Sequence, residues 1–183
     1  MRLKKCLISV LILICVLGCT LLIAGCGEND SKKDKEPKSK TITITDSTNK
    51  SVEVPQPLEK VVVLYTGMAE AVNILKAQDK VIGVDESVQK HPYLGMQDKE
   101  SVGQSTQPSY EKIVELRPQV VIAPASVAPI PVKEITEKIE PAGIKVVLLD
   151  IHKPETSDDA LKTLAKMFGR EVNTFSDSLL SHF

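Results

Sequence analysis

Four short apolar runs decide the fold of this chain: Val61-Val62-Val63-Leu64, Val81-Ile82-Gly83-Val84, Val120-Val121-Ile122-Ala123 and Val146-Val147-Leu148-Leu149. The runs are rich in β-branched residues and lack the alternation of polar and apolar positions that a half-exposed strand shows. Strands of this kind are buried on both faces, as in a parallel sheet that is covered by helices. Segments with helical spacing lie between them, at 68–77, 110–116 and 132–139. Because parallel strands need crossover connections, this alternation predicts a three-layer α/β fold.

Further elements are predicted on both sides of this region. Residues 41–45 and 52–54 alternate polar and apolar side chains, which indicates an N-terminal β-hairpin. Residues 158–168 and 171–183 have the spacing of two helices, with Gly169 between them. The apolar residues of the second helix lie at spacings of three and four and form one stripe, namely Val172, Phe175, Leu179 and Phe183.

Composition narrows the classes of function. The chain has 183 residues, of which 42% are apolar, so it can form a packed core. All four cysteines lie within the first 26 residues, which excludes a disulfide framework or a cysteine zinc site in the rest. Residues 41–183 contain 15 Lys and Arg against 20 Asp and Glu. Since nucleic acids attract the opposite charge, we expect no nucleic-acid partner.

The N-terminus has the pattern of an export signal. Met1–Lys5 is basic, 7–24 is almost wholly apolar, and the run ends in Leu22-Ile23-Ala24-Gly25-Cys26. This end resembles a lipobox, so we expect a lipoprotein signal peptide at 1–25, a lipid on Cys26 and a flexible polar tether at 26–40. An uncleaved signal anchor is the alternative. Both place the folded part outside the cytoplasmic membrane.

Polar loops follow the predicted strands. Ligands of parallel α/β sheets bind at the carboxyl ends of the strands, so residues in these loops are the candidate ligand contacts. The predicted ligand-binding residues are Tyr65, Thr66, Gly67, Met68, Ser87, Gln104, Ser105, Thr106, Pro124, Ala125 and Ser126. Their hydroxyls, amides and helix N-terminal N–H groups suit oxygen-rich or anionic ligands, although ordinary polar loops have the same composition.

Enzyme signatures are missing from the sequence. It contains no GxGxxG, GxxxxGK[ST], HExxH or GxSxG pattern, and its three histidines are scattered. A Ser-His-Asp set of Ser126, His152 and Asp150 has no support from spacing. We therefore expect no catalytic activity, with an extracytoplasmic hydrolase as the weakest alternative.

The order of the segments resembles the N-terminal lobe of the solute-binding proteins that feed iron-siderophore, haem and cobalamin ABC importers. The resemblance covers about residues 41–183. Its most specific part starts at Val102-Gly103-Gln104 and continues as Pro108-Ser109-Tyr110-Glu111-Lys112-Ile113-Val114-Glu115-Leu116-Arg117-Pro118-Gln119-Val120-Val121-Ile122. The resemblance implies an N-terminal solute-binding lobe at 41–155. It also implies that 156–183 leads into the long helix between two lobes, with the second lobe absent.

What the resemblance implies for function is binding of a metal chelate and delivery to a membrane permease and its ATPase. The chelate would hold the metal, so the resemblance implies no metal ligand and no cofactor in the protein itself. A ferric siderophore is favoured over cobalamin or haem, because Ser87 and Ser105 stand where cobalamin-binding members have aromatic residues. Glu111 matches the acidic residue that pairs with permease arginines in this family, whereas Glu70 matches a position that orders a loop. An orphan lobe that docks on a permease or partner lobe without binding solute is the alternative.

Overall fold

The computed structural model describes residues 40–170 of the chain. The predicted signal peptide, Cys26 and almost all of the predicted tether lie outside the described residues, as does the predicted helix at 171–183. The strands are β1 (Lys40–Thr45), β2 (Ser51–Gln56), β3 (Val61–Val63), β4 (Val81–Val84), β5 (Glu100–Ser101), β6 (Gly103–Gln104), β7 (Gln107–Pro108), β8 (Val120–Pro124) and β9 (Lys145–Leu149). The α-helices are α1 (Thr66–Ile74), α2 (Glu86–Gln89), α3 (Tyr110–Leu116), α4 (Val132–Ile139) and α5 (Pro154–Met167), and short 3₁₀ turns occur at Gln78–Lys80, Pro92–Leu94 and Glu140–Ala142.

A five-stranded parallel sheet forms the centre of the fold, in the order β5-β4-β3-β8-β9. Successive residues of β3 point to opposite faces, so Val61 and Val63 enter one apolar core while Val62 and Leu64 enter another. Both cores consist of buried side chains from the sheet and from the helices that cover it. The predicted α/β fold class with a parallel sheet is confirmed.

The N-terminal hairpin β1–β2 is antiparallel and is closed by the buried carboxylate of Asp46. Asp46 Oδ1 accepts hydrogen bonds from the Thr48 N–H at 2.8 Å, the Thr48 hydroxyl at 2.6 Å and the Lys50 N–H at 3.0 Å. The turn then meets the end of β9, where the Ser47 N–H donates to the Leu148 carbonyl at 2.9 Å. The hairpin therefore lies beside the outer edge of β9.

Some helix bounds differ from the prediction. Helix α1 starts at Thr66 instead of residue 68, and it ends at Ile74 because Lys76 has a left-handed φ of 53°. Helix α5 starts at Pro154 instead of residue 158, which fits the preference of proline for a first helical turn. Helix α2 and strands β5 to β7 were not predicted, since each has at most four residues. Across residues 40–170, no helix has the length and hydropathy that a bilayer crossing needs.

Candidate functional site

The predicted loops meet at the carboxyl edge of the sheet. The loops after β3, β4, β8 and β9 all leave from this edge because the strands run parallel. The β6–β7 hairpin joins them through two backbone bonds, from the Val102 N–H to the Val84 carbonyl at 2.9 Å and from the Ser109 N–H to the Val102 carbonyl at 2.8 Å. The parallel topology thus places five loops side by side.

The loop after β3 has an unusual backbone at Tyr65, whose φ is 84°. The half-buried Tyr65 ring meets the His152 imidazole edge to face, with ring centroids 5.0 Å apart and planes at 82°. Gly67 lies against this pair, and a Cβ there would stand 2.6 Å from His152 Cε1, so a larger residue would require the exposed imidazole to move. Met68 is fully buried in the core instead of lying at the surface of the edge.

A buried carboxylate connects the loops after β3 and β4. Asp85 is fully buried and caps α2, where its Oδ1 accepts from the Ser87 N–H at 2.7 Å and also from the Ser87 hydroxyl. Its Oδ2 accepts from the Tyr65 N–H, across the gap between the loops. The hydroxyls of Thr66 and Ser87 lie 3.0 Å apart, so the two half-buried side chains form one polar corner.

Asp85 was missed as a site residue by the sequence analysis. The available signal was an acidic residue directly after a buried strand and before a helix, which is an N-cap pattern. That pattern identifies the cap but gives no indication that the same carboxylate also holds Tyr65.

Three predicted residues lie around the tip of the β6–β7 hairpin. Gly103 pairs with Pro108 and Gln104 pairs with Gln107, which leaves Ser105 and Thr106 as the turn. Gln104 and Thr106 are exposed and Ser105 is half-buried. The hairpin therefore presents an amide and two hydroxyls beside the corner formed by Thr66 and Ser87.

The loop after β8 is joined to the loop after β9 by a hydrogen-bonded cluster. Pro124 is buried at the end of β8, and the Ala125 N–H donates to the Leu149 carbonyl at 3.0 Å. The exposed Ser126 hydroxyl donates to Asp150 Oδ2 at 2.8 Å, and Lys153 Nζ lies 2.9 Å from the same oxygen.

The Asp150 carboxyl titrates under opposing influences. Burial acts to raise its pKa, but hydrogen bonds from the Lys153 ammonium and the Ser126 hydroxyl outweigh burial, and the pKa is lowered from the ordinary aspartate value. Ser126 thus contacts the carboxylate directly, while the His152 ring packs on Tyr65. A catalytic triad requires the imidazole between the serine and the carboxylate, so these contacts do not form one.

A second aromatic group lies in the segment after α2. Tyr93 is 60% exposed, and its hydroxyl donates to Glu70 Oε1 at 2.7 Å. This hydrogen bond raises the pKa of the Tyr93 phenol, because the Glu70 carboxylate favours the protonated form. His91 meets the Tyr93 ring edge to face at 5.6 Å, and its Nδ1 lies 2.6 Å from the Ser87 carbonyl. Glu70 therefore orders this segment through Tyr93.

Glu111 lies in the first turn of α3 and is exposed. The helix is capped by Ser109, whose hydroxyl oxygen accepts from the Lys112 N–H at 3.4 Å. A carboxylate in a first turn is stabilised by the partial positive charge of the helix N-terminus. Among residues 40–170, no group of three or more His, Cys, Asp or Glu side chains is arranged to hold a metal ion.

Comparison with known proteins assigns the chain to a family. Residues 61–177 match the model of the family described as periplasmic binding protein. The chain belongs to the periplasmic binding protein family. Its members are solute-binding proteins and not enzymes, and the resemblance found in the sequence is confirmed.

Individual relatives agree with this assignment. An uncharacterized ABC transporter substrate-binding lipoprotein, YvrC of Bacillus subtilis, is 29% identical over 141 residues, which cover 74% of this chain and 43% of the relative. A periplasmic haem-binding protein of Pseudomonas aeruginosa has a TM-score of 0.58 and 26% identity, over 68% of this chain and 43% of that structure. A periplasmic solute-binding protein of Veillonella parvula shares the fold, with a TM-score of 0.61 and 18% identity, over 72% of this chain and 42% of that structure. The chain spans less than half the length of these relatives.

Proposed function

We propose that the chain is the membrane-tethered, extracytoplasmic substrate-binding component of an ABC importer for a metal chelate. The observation that carries the proposal is the convergence of five ligand-suited loops at one sheet edge, in a chain that matches the periplasmic binding protein family. The Bacillus subtilis relative supports the ABC transporter assignment through its name. The haem-binding Pseudomonas aeruginosa protein supports a metal chelate as the ligand class.

A ferric siderophore is the first choice of ligand, and haem or cobalamin is the second. The Tyr65 ring and the His152 imidazole stand almost perpendicular, at 82°, so this pair offers an edge and not a flat surface. Flat macrocycles gain most from a parallel aromatic plane, whereas a compact ferric chelate gains from several polar contacts. The hydroxyls of Thr66, Ser87 and Ser126 supply such contacts.

The remaining roles follow from the same proposal. A lipid on Cys26 would hold the protein at the outer face of the cytoplasmic membrane. Glu111 would pair with basic residues of the permease, since an exposed carboxylate at a helix N-terminus steers a basic partner towards it. The permease would in turn connect the protein to its ATPase.

Direct binding measurements on the full-length chain, purified from membranes in detergent, test the proposal. Ferrioxamine B, haemin and cyanocobalamin serve as probes in equilibrium dialysis. We expect saturable binding of ferrioxamine B, weakened about fivefold by Ser126→Ala because the hydroxyl that we propose as a ligand contact is removed. Glu111→Gln is the matched control outside the ligand site and should leave the affinity unchanged.

Two results would contradict parts of this proposal. Binding of haemin alone would replace the first choice of ligand with the second. Absence of saturable binding for all three probes, together with retention of the chain on permease-containing membranes, would favour a lobe that docks without binding solute. The match covers 43% of the Bacillus subtilis relative, and this share is the observation behind that second reading.

A further inference from the structure

The corner formed by Thr66 and Ser87 has a fixed hydrogen-bond direction. Ser87 has a single hydroxyl proton, and this proton is donated to Asp85 Oδ1. The same oxygen also accepts from the Ser87 N–H at 2.7 Å, while Oδ2 accepts from the Tyr65 N–H. Asp85 is fully buried, so no water competes for its oxygens. The Ser87 hydroxyl is therefore held as a donor towards the interior.

The direction of the next hydrogen bond follows from this arrangement. The oxygens of Thr66 and Ser87 are 3.0 Å apart, and one hydroxyl must donate to the other. Ser87 has already used its proton, so the Thr66 hydroxyl donates to the Ser87 oxygen. Both protons then point into the protein, and only lone pairs remain on the accessible side of these half-buried residues.

We propose that Asp85 makes this corner a hydrogen-bond acceptor, which selects chelates that present an ammonium or amide N–H group to Thr66 and Ser87. The inference rests on the proposed function, because it names the part of a metal chelate that faces this corner. The sequence analysis expects the loops to suit oxygen-rich or anionic ligands, and the inference reverses that expectation at this corner. A carboxylate or other bare oxygen of a ligand would meet lone pairs here and find no proton to accept.

A matched pair of chelates tests the selection on the full-length chain in detergent. Ferrioxamine B ends in an ammonium group, and its succinylated form has the same trihydroxamate core but ends in a carboxylate. We expect the wild-type chain to bind ferrioxamine B about tenfold more tightly, the size of one charge-assisted hydrogen bond. In Ser87→Ala the Thr66 hydroxyl loses its acceptor, so its proton can point towards the ligand. The ratio of the affinities for ferrioxamine B and its succinylated form should then fall to about threefold or less.

A control variant distinguishes the effect of the hydrogen-bond direction at Ser87 from the general effect of removing a hydroxyl that is bonded to a buried aspartate. Thr48 also donates its hydroxyl to a buried aspartate, Asp46, at 2.6 Å in the hairpin turn, outside the proposed ligand site. Thr48→Val should leave both affinities and their ratio unchanged. An unchanged ratio in Ser87→Ala, or a wild-type preference for the carboxylate form, would overturn the inference.

A measurement without ligand separates this inference from the proposed function. Nuclear Overhauser effects of the Ser87 hydroxyl proton should reach the amide protons of Ser87 and Tyr65, because all three protons point at one carboxylate. A Ser87 hydroxyl proton that lies against Thr66 would refute the proposed direction of the hydrogen bond, regardless of the result of the chelate-binding measurements. If neither chelate binds the wild-type chain, the siderophore assignment fails, and the Overhauser result alone decides the inference.

Discussion

Gly83 in the middle of β4 is a position at which one methyl group is expected to destabilise the fold. A Cβ built there would lie 2.7 Å from Leu116 Cδ1 and 3.2 Å from both Val102 Cγ1 and Val62 Cγ2. Leu116 is half-buried and can turn aside, but Val62 and Val102 are fully buried and have stiff side chains. The close approach allows α3, and with it Glu111, to lie directly on the sheet.

The magnitude for Gly83→Ala follows from two opposing effects. Overpacking in a dense core costs about 1–3 kcal/mol. Because Gly83 does not have a left-handed φ, alanine is not strained there, and the loss of freedom in the unfolded chain returns about 0.4–1 kcal/mol. From the middle of each range, we expect the free energy of unfolding to fall by about 1.3 kcal/mol.

Urea denaturation of the full-length chain measures this change. Because the chain contains no tryptophan for a fluorescence signal, unfolding is followed by far-UV circular dichroism. The double variant Gly83→Ala/Leu116→Ala removes the closest contact atom, Leu116 Cδ1. Its loss of stability should therefore be smaller than the sum of the two single losses, by about 1 kcal/mol. An unchanged or higher stability of Gly83→Ala, or strict additivity, would refute the packing argument.

Three further predictions concern charge and attachment. Glu111→Lys should weaken association with permease-containing vesicles at least tenfold at low salt and reduce its salt dependence; equal retention of variant and wild type in co-sedimentation would contradict docking through this residue. The lowered pKa of Asp150 stabilises the fold above the ordinary aspartate pKa, and this stabilisation is lost as the pH falls through the lowered value. Acid titration followed by circular dichroism should therefore show a smaller loss of stability at low pH in Lys153→Met than in wild type. Identical titration curves would exclude a contribution from the pair of Asp150 and Lys153. Cys26→Ser should move the chain from the membrane fraction to the soluble extracytoplasmic fraction, as an immunoblot of fractionated cells would show, and continued membrane retention would favour a signal anchor.

The sequence predicted the sheet well because its strands are buried on both faces. A run such as Val61-Val62-Val63 has a composition that only a covered parallel strand tolerates, and its bounds were correct to one residue. Strand β5 has only the polar residues Glu100 and Ser101, and it exists because Val102 bonds back to Val84. Such a strand depends on a partner that is distant in sequence, so no local sequence pattern predicts it.

The candidate site was predictable to the level of loops but not of side chains. Strand order places the loop of Tyr65 near the loop of Ser87 in any parallel sheet of this type. The left-handed backbone of Tyr65 and its bond to Asp85 arise only when the two loops are packed together. Met68 shows the converse, because its position next to the loop gave no indication that its side chain turns into the core. Whether the predicted residues bind a ligand stays a prediction.

The contact between the hairpin turn and β9 has a consequence for the behaviour of many copies at one surface. An open edge strand offers unpaired N–H and carbonyl groups to any neighbouring chain and promotes sheet-to-sheet aggregation. At the carboxyl end of β9, Ser47 occupies both the Leu148 carbonyl and the N–H of Asp150, the residue that follows the strand. At the opposite edge, β5 has only two residues, too few to template a further strand. The proposed lipid anchor would concentrate many copies on one membrane, and a sheet whose edges are protected in this way would resist edge-to-edge pairing there.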